Sequence, residues 1–432
     1  LMEIVKLKTP SEIADLEKSW PSNQLIPKEI LEKVLEIIYD VKARRDKALK
    51  EYSLFFDRVD LEAVGIEISR DEIEKAYIKS KNIIPILETA AKRITTFHKC
   101  GLPQSWFTTD DYGNVLGLRL TPIERIGLYC PGGKASYPSS LLMNAIAAKV
   151  AGVKEIIMCV PAPKGEISAA VLAAAKIVGI GRIFRLGGAQ AIAAMAYGTE
   201  TIPKVDFICG PGNIYVTAAK KLVFGEVGID MIAGPSEIAI IADGTVSANF
   251  IASDLLSQAE HDEMASAIFI TISENYAQAV LEEIKKQLSL LSRKEIAKKA
   301  LEKKGYVFIV SDLSVAAKVA NIIAPEHLQL LVAEPLSLLD EIKHAGAIFL
   351  GQYAITALGD YIAGPNHTLP TGRSARFCSA LSSEHFLKRS NFLFISSKGL
   401  FTLGPRAIEF AQIEGFNGHV ISIRKRLKED KE

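Results

Sequence analysis

The sequence predicts an α/β fold made of two similar parallel-stranded units, preceded by helices and followed by a small C-terminal segment. Between Arg125 and about Gly351, short apolar runs alternate with glycine-bearing loops and alanine-rich stretches, the pattern of buried strands joined by crossover helices. The alternation runs through two successive series, as two domains of common origin would. Upstream, apolar residues recur at helical spacing among Lys and Glu from Pro27 to about Asp57 and from Ser69 to about Lys99, as amphipathic helices require.

Taken in order, the chain opens with a short N-terminal segment and these helices. In the first series RIGLYC, EIIMCV, RIFRL and VDFIC read as buried strands, with helices around 139–151, 167–178, 189–198 and 213–224. The second series contributes EIAIIAD, SAIFITI, YVFIV, LQLLV and AIFLG, again separated by helices. Direct sequence similarity between the series is too weak to establish a repeat. Past about Gly372 the alternation fades into a polar, serine-rich run, a helix starting near Pro405 and a basic tail, IRKRLKEDKE. That region has too little apolar surface for a core of its own and is expected to pack on something else, such as a second subunit.

A length of 432 residues suggests two to four domains at about 150 residues each. The 51 basic and 50 acidic residues leave a net charge of +1, so no global field gathers nucleic acid or anionic lipid, and the expected ligand is small. The five cysteines, at 100, 130, 159, 209 and 378, form no C-x-x-C pair and fit a reducing, cytoplasmic setting. The N-terminus has no secretory pattern. The most apolar stretches, around 141–153 and 168–180, are interrupted by Asn144, Lys149 and Lys176. They fall short of the ~20 residues that span a bilayer, so no membrane span is expected.

Three strand ends of the first series run into glycine loops and then helices: GLYCPGG (127–133), LGGAQA (186–191) and CGPGNIY (209–215). Each can aim backbone N–H groups and a helix N-terminus at a phosphate. None is G-x-G-x-x-G, and singly each is an ordinary connector; together on one sheet edge they mark a ligand crevice. Elsewhere, SANFIASDLLSQAEHDE (247–263) reads as a helix with Gln258 and His261 one turn apart on one face, a spacing that serves one metal or merely a solvated helix end. APEHLQLLV (324–332) sets Glu326 and His327 at a strand edge, a carboxylate–imidazole neighbourhood suited to proton transfer or to an exposed turn. LGDYIAGPNHTLPT (358–371) gathers Asp360 and His367 in a segment of little regular structure, and IEGFNGH (413–419) carries Glu414 and His419 in the tail.

These segments, with DMIAGPSE and ARF, stand in the order and wording of the histidinol dehydrogenase family, which the chain closely resembles over essentially its whole length. Small departures occur at Arg373, at Phe416 to Gly418 and at Cys130. The resemblance implies two incomplete Rossmann-like domains of the aldehyde-dehydrogenase kind. It divides the chain into residues 1–27, a substrate and metal domain of 28–124 plus 237–375, an NAD-binding domain of 125–236, and a dimerisation tail of 376–432. It implies one Zn²⁺ per subunit on Gln258, His261, Asp360 and His419, with His419 supplied by the partner subunit; oxygen and nitrogen donors of this kind also tolerate Mn²⁺ or Co²⁺. The metal ligands, Ser236, His327, His367 and Glu414 then contact L-histidinol, Glu414 reaching across the dimer, while Tyr129, Gln190 and Asn213 contact NAD. In the implied chemistry His327 is the general base and Glu326 activates water on a bound aldehyde. Two NAD are consumed in forming L-histidine, the last step of its biosynthesis. The competing readings are a thiol-dependent aldehyde dehydrogenase with Cys130 as nucleophile, and a zinc hydrolase using Glu326.

Overall fold

The computed structural model describes residues 2–21, 26–132 and 136–429; Gly133 of the first glycine loop and the last three residues of the basic tail lie outside the described residues. The strands are Glu3–Leu7 (β1), Trp106–Thr109 (β2), Val115–Pro122 (β3), Arg125–Tyr129 (β4), Glu155–Val160 (β5), Arg182–Arg185 (β6), Phe207–Cys209 (β7), Gly228–Ile229 (β8), Glu237–Ala242 (β9), Ser266–Thr271 (β10), Gly305–Val310 (β11), His327–Leu331 (β12), Ala347–Leu350 (β13) and Leu387–Phe394 (β14). One parallel sheet runs β6-β5-β4-β7-β8 and the other β1-β11-β10-β9-β12-β13. Counted from the first strand of each series, both follow the order 3-2-1-4-5, with β1 added beside β11 in the second. This shared topology is the internal repeat that the residues alone left open.

Each sheet is buried on both faces because its strands are apolar on both. SAIFIT of β10 is buried throughout, as is EIAIIA of β9. Helices Pro138–Ala151 and Ala169–Val178 close one face of the first sheet, and Gly188–Tyr197 and Ile214–Val223 the other. The N-terminal helices extend these same cores. Val34, Ile38 and Val41 of Lys28–Arg44 pack on the second face, and Ile73, Ala76, Leu87 and Ile94 of Arg70–Lys79 and Ile84–Cys100 on the first. Residues 28–100 therefore lie against the first sheet, whereas the family-based division grouped them with the second.

Five strands have no counterpart in the sequence reading; one is the two-residue β8 at the edge of the first sheet. β1 hides in the N-terminal segment, where five residues pair with β11 at a sheet edge. β2, β3 and β14 form a separate antiparallel sheet in the order β14-β3-β2. Much of that sheet is exposed, so it carries no clean apolar alternation, and β14 pairs with a segment far upstream. The C-terminal helix also begins earlier than Pro405. It spans Ser397–Ile413, capped by the Ser396 hydroxyl accepting from Gly399 N at 2.9 Å, with Pro405 inside it. It turns into a second helix, Asn417–Glu429, and Gly404 faces Ile423 and Leu427 across the hairpin. No helix among the described residues is long and apolar enough to cross a membrane.

The link between the units positions the site. After β8 the chain passes directly through residues 230–236 into β9, which turns the carboxyl edge of the first sheet toward the amino edge of the second. Asp230 anchors the link: its carboxylate accepts from Gly210 N at 2.8 Å and Met231 N at 2.7 Å and pairs with the Lys220 ammonium, which donates to Gly210 O at 3.0 Å.

Candidate active site

The first sheet reverses its winding between β4 and β7, and the glycine loops after those strands flank the crevice that such a reversal leaves. Tyr129 ends β4; it is buried, and its hydroxyl accepts from Gly188 N at 3.1 Å. Gln190 lies buried in the first turn of Gly188–Tyr197. Asn213 caps Ile214–Val223, its Oδ1 accepting from Tyr215 N at 3.0 Å and Val216 N at 3.1 Å. Gly210, at φ +109°, lies so close to β4 that a Cβ would stand 2.0 Å from Tyr129 O, which only glycine allows.

In the second sheet the chemistry sits at the amino edge, at the matching reversal between β9 and β12. His327 opens β12 opposite Ile238. The backbone of Glu237 holds both members of the pair: its N–H donates to Glu326 Oε2 at 2.9 Å, and its carbonyl accepts from His327 Nδ1 at 3.0 Å. Because a carbonyl only accepts, the Nδ1 position carries the proton and Nε2 is the atom turned toward Asp360, 3.7 Å from Oδ1. Glu326 and His327 are both buried, with Oε2 and Nδ1 3.5 Å apart. Burial raises the Glu326 carboxyl above its ordinary range against the pull of His327. Burial alone would lower His327, but the carboxylates of Glu326 and Asp360 outweigh it and lift the ring.

Asp360 lies near the end of the short helix Thr356–Tyr361. Burial opposes its ionisation, yet the imidazoles of His327, His367 and His261 hold its carboxyl below the usual range. His367 Nδ1 donates to Asp360 O at 2.7 Å and its Nε2 accepts from Ser140 Oγ at 3.1 Å, so both ring nitrogens are engaged. The helix read over 247–263 ends sooner, as Ala248–Ala259; Gln258 is buried in its last turn, and His261 follows in a turn held by its N–H donating to Gln258 O at 3.2 Å. Ser236 immediately precedes β9, its carbonyl accepting from Ser266 N at 3.0 Å. A cavity of about 960 Å³ opens on His327, Asp360 and His367, with Phe349, Tyr353 and Leu358 in its apolar wall.

The structure thus brings together Glu326, His327, Asp360 and His367, with His261 within electrostatic reach. It does not bring Glu414 or His419 to them. Those two line a separate groove on the C-terminal hairpin with Arg406 and Phe410. Among the described residues no three His, Cys, Asp or Glu side chains form a metal-binding group. The donors nominated for a metal are compatible with that, since within one chain they amount to two such side chains, His261 and Asp360, plus the amide of Gln258. Glu237 and Ser140 were not singled out as site residues. Glu237 has one sequence signal, a charged residue opening an otherwise apolar strand; Ser140 has none, because its partner is contributed by a distant loop. Cys130 is buried, and burial pushes its thiol up to about 12, which leaves it no thiolate with which to attack a carbonyl.

Glycine loops on one parallel sheet and a carboxylate–imidazole cluster on the facing edge of a second define an α/β enzyme with a ligand crevice beside a site for proton transfer. The family model for histidinol dehydrogenase matches residues 21–427. The histidinol dehydrogenase of Geobacter sulfurreducens is 52% identical over 403 residues, 93% of this chain and 94% of that protein. That of Aquifex aeolicus is 50% identical over 412 residues, 95% and 96% of the two chains. The crystal structure of histidinol dehydrogenase from Elizabethkingia anophelis superposes with a TM-score of 0.94 at 38% identity, covering 100% of this chain and 99% of that one. The chain belongs to the histidinol dehydrogenase family.

Proposed function

We propose that the protein oxidises L-histidinol through a retained aldehyde to L-histidine, using two NAD and one Zn²⁺ per subunit. The observation that carries this reading is the Glu326–His327 pair fixed on the Glu237 backbone, with His327 Nε2 turned to Asp360 and the cavity. When bound, Zn²⁺ supplies a fixed point for the substrate's imidazole and amino nitrogens, and NAD accepts the electrons of each oxidation.

The residues do the rest. Gln258, His261 and Asp360, with His419 of the partner subunit, are oxygen and nitrogen donors suited to hold Zn²⁺. His327 Nε2, its partner nitrogen committed to a carbonyl, takes the alcohol proton. Drawing Asp360 toward a cation removes one of the carboxylates that lift His327, which moves the ring toward the range where a base works near neutral pH. Glu326, raised by burial, withdraws a proton from the water that adds to the aldehyde, and the hydrate repeats the oxidation with His327. Burial around the pair excludes bulk water and helps keep the aldehyde in place. Tyr129, Gln190 and Asn213, at the carboxyl edge of the first sheet, are proposed to hold NAD, and Ser236 to contact the substrate. His367 contacts it only by exchanging its bond to Ser140.

The proposal treats residues 125–236 as the NAD domain, with the helices of 28–100 packed on its sheet, 237–375 as the substrate and metal domain, and 376–432 as a tail that joins two chains into a homodimer with shared sites. The distance of Glu414 and His419 from the Glu326 cluster supports the sharing. Five free cysteines are in keeping with a reducing, cytoplasmic setting. Histidinol added with NAD should give two NADH per histidinol; prolonged chelation should abolish turnover and Zn²⁺ restore it. Full turnover in a preparation shown by elemental analysis to be metal-free would overturn the metal assignment.

A further inference from the structure

Beneath the nominated ligands lies a second polar layer. Gln329 follows His327 by two residues and so shares its side of β12. Thr356 precedes Asp360 by one helical turn, and Asp254 precedes Gln258 by one turn in Ala248–Ala259. Gln329 links the other two. Gln329 Nε2 donates to Thr356 Oγ1 at 3.2 Å, and the Gln329 amide stands near enough to the Asp254 carboxyl to favour its ionised form against burial. Gln329 is 0% and Thr356 4% exposed, and Gln329 Oε1 has no hydrogen-bond partner.

A buried amide with an unpaired oxygen costs stability, and an apolar residue of similar size in a strand flanked by Ile240 and Phe349 would cost less. Resting on the metal reading above, we propose that Asp254, Gln329 and Thr356 are positioning residues. They tie together the three elements that carry Gln258, His327 and Asp360 and set the spacing of the metal donors. Side chains that orient metal ligands in this way typically change metal affinity by about tenfold to a hundredfold when removed.

The test uses the full-length apo protein and Co²⁺ as the probe, read by its visible absorption and by chelator competition. Thr356→Val and Gln329→Met should each weaken Co²⁺ binding by roughly tenfold or more and alter the spectrum. The melting temperature of the Gln329→Met apo protein should stay unchanged or rise, because an apolar group replaces a buried polar one, whereas Thr356→Val leaves the Gln329 amide N–H without its acceptor and should lower it by a few degrees at most, too little to account for roughly tenfold weaker binding. Thr356→Ser keeps the hydroxyl and should bind as the wild type does. Wild-type Co²⁺ affinity and spectrum in both Thr356→Val and Gln329→Met would overturn the inference, as would lost affinity that merely tracks lost thermal stability. Should Gln329→Met fail to fold, the near-isosteric Thr356→Val decides the matter. A wild-type protein that binds no Co²⁺ would instead remove the metal reading, and this inference with it.

Discussion

Backbone carbonyls accept and never donate, and that asymmetry assigns the protons of two imidazoles at the site: His327 and His367 each give Nδ1–H to a carbonyl and present Nε2. In the proposed mechanism Glu326 and His327, though adjacent, serve different steps. Glu326→Gln keeps the shape and loses the carboxylate, so a single turnover of histidinol should release one equivalent of NADH per site quickly and the second slowly. Equal loss of both phases, with fold and metal content intact, would make Glu326 an orienting group for His327. A third imidazole tests stability. His98 is buried where Asn366 Nδ2 donates to its Nε2 at 3.3 Å and also to Met143 O at 2.8 Å, and burial holds its pKa down to about 4. The folded value lies below the unfolded value of about 6.5. The neutral ring therefore contributes stability above about pH 6.5 that is lost as pH falls toward 4. Melting temperatures measured across that window should fall in the wild type, and His98→Gln should flatten that part of the decline; superimposable curves would contradict the assignment.

At the scale of elements, the turn after β7 is the most tightly held among the described glycine-loop residues. Its Gly210 peptide is held from both sides, N–H by Asp230 and carbonyl by Lys220, whose side chains are 0% and 4% exposed. A methyl group at Gly210 meets the Tyr129 carbonyl in a positive-φ conformation, so Gly210→Ala should destabilise the protein by at least about 2 kcal/mol in urea unfolding. Because the same turn leads into Asn213, the folded fraction of that variant should also show a raised KM for NAD with little change in KM for histidinol. A neutral result in both measurements would mean that the loop shifts freely and that the Lys220–Asp230 pair does not fix it.

For the whole molecule, the C-terminal hairpin raises the question of what covers it. Phe410 and Ile413 are 65% and 83% exposed beside Glu414, and Phe392, Leu393 and Phe394 of β14 are also exposed. Apolar surface of this extent commonly marks an interface. The protein should sediment as a dimer. Two inactive variants, His261→Ala and His419→Ala, should regain activity when unfolded and refolded together, since one site of each hybrid then carries neither lesion. Demonstrated subunit exchange without recovered activity would mean that the tail serves its own chain. The sequence by itself determined the fold class and the strands of both series except the two-residue β8, because apolar runs buried on both faces are written locally, and it nominated Glu326 and His327 because the two are adjacent. The tertiary structure alone decided the common 3-2-1-4-5 order, the antiparallel sheet of β2, β3 and β14, and the meeting of one sheet's carboxyl edge with the other's amino edge. It alone placed the Glu237 backbone, Ser140 and the Gln329–Thr356 pair beside the nominated residues. Pairing between distant segments depends on which edges and polar groups remain unsatisfied once the cores have packed, and no local stretch of residues encodes that.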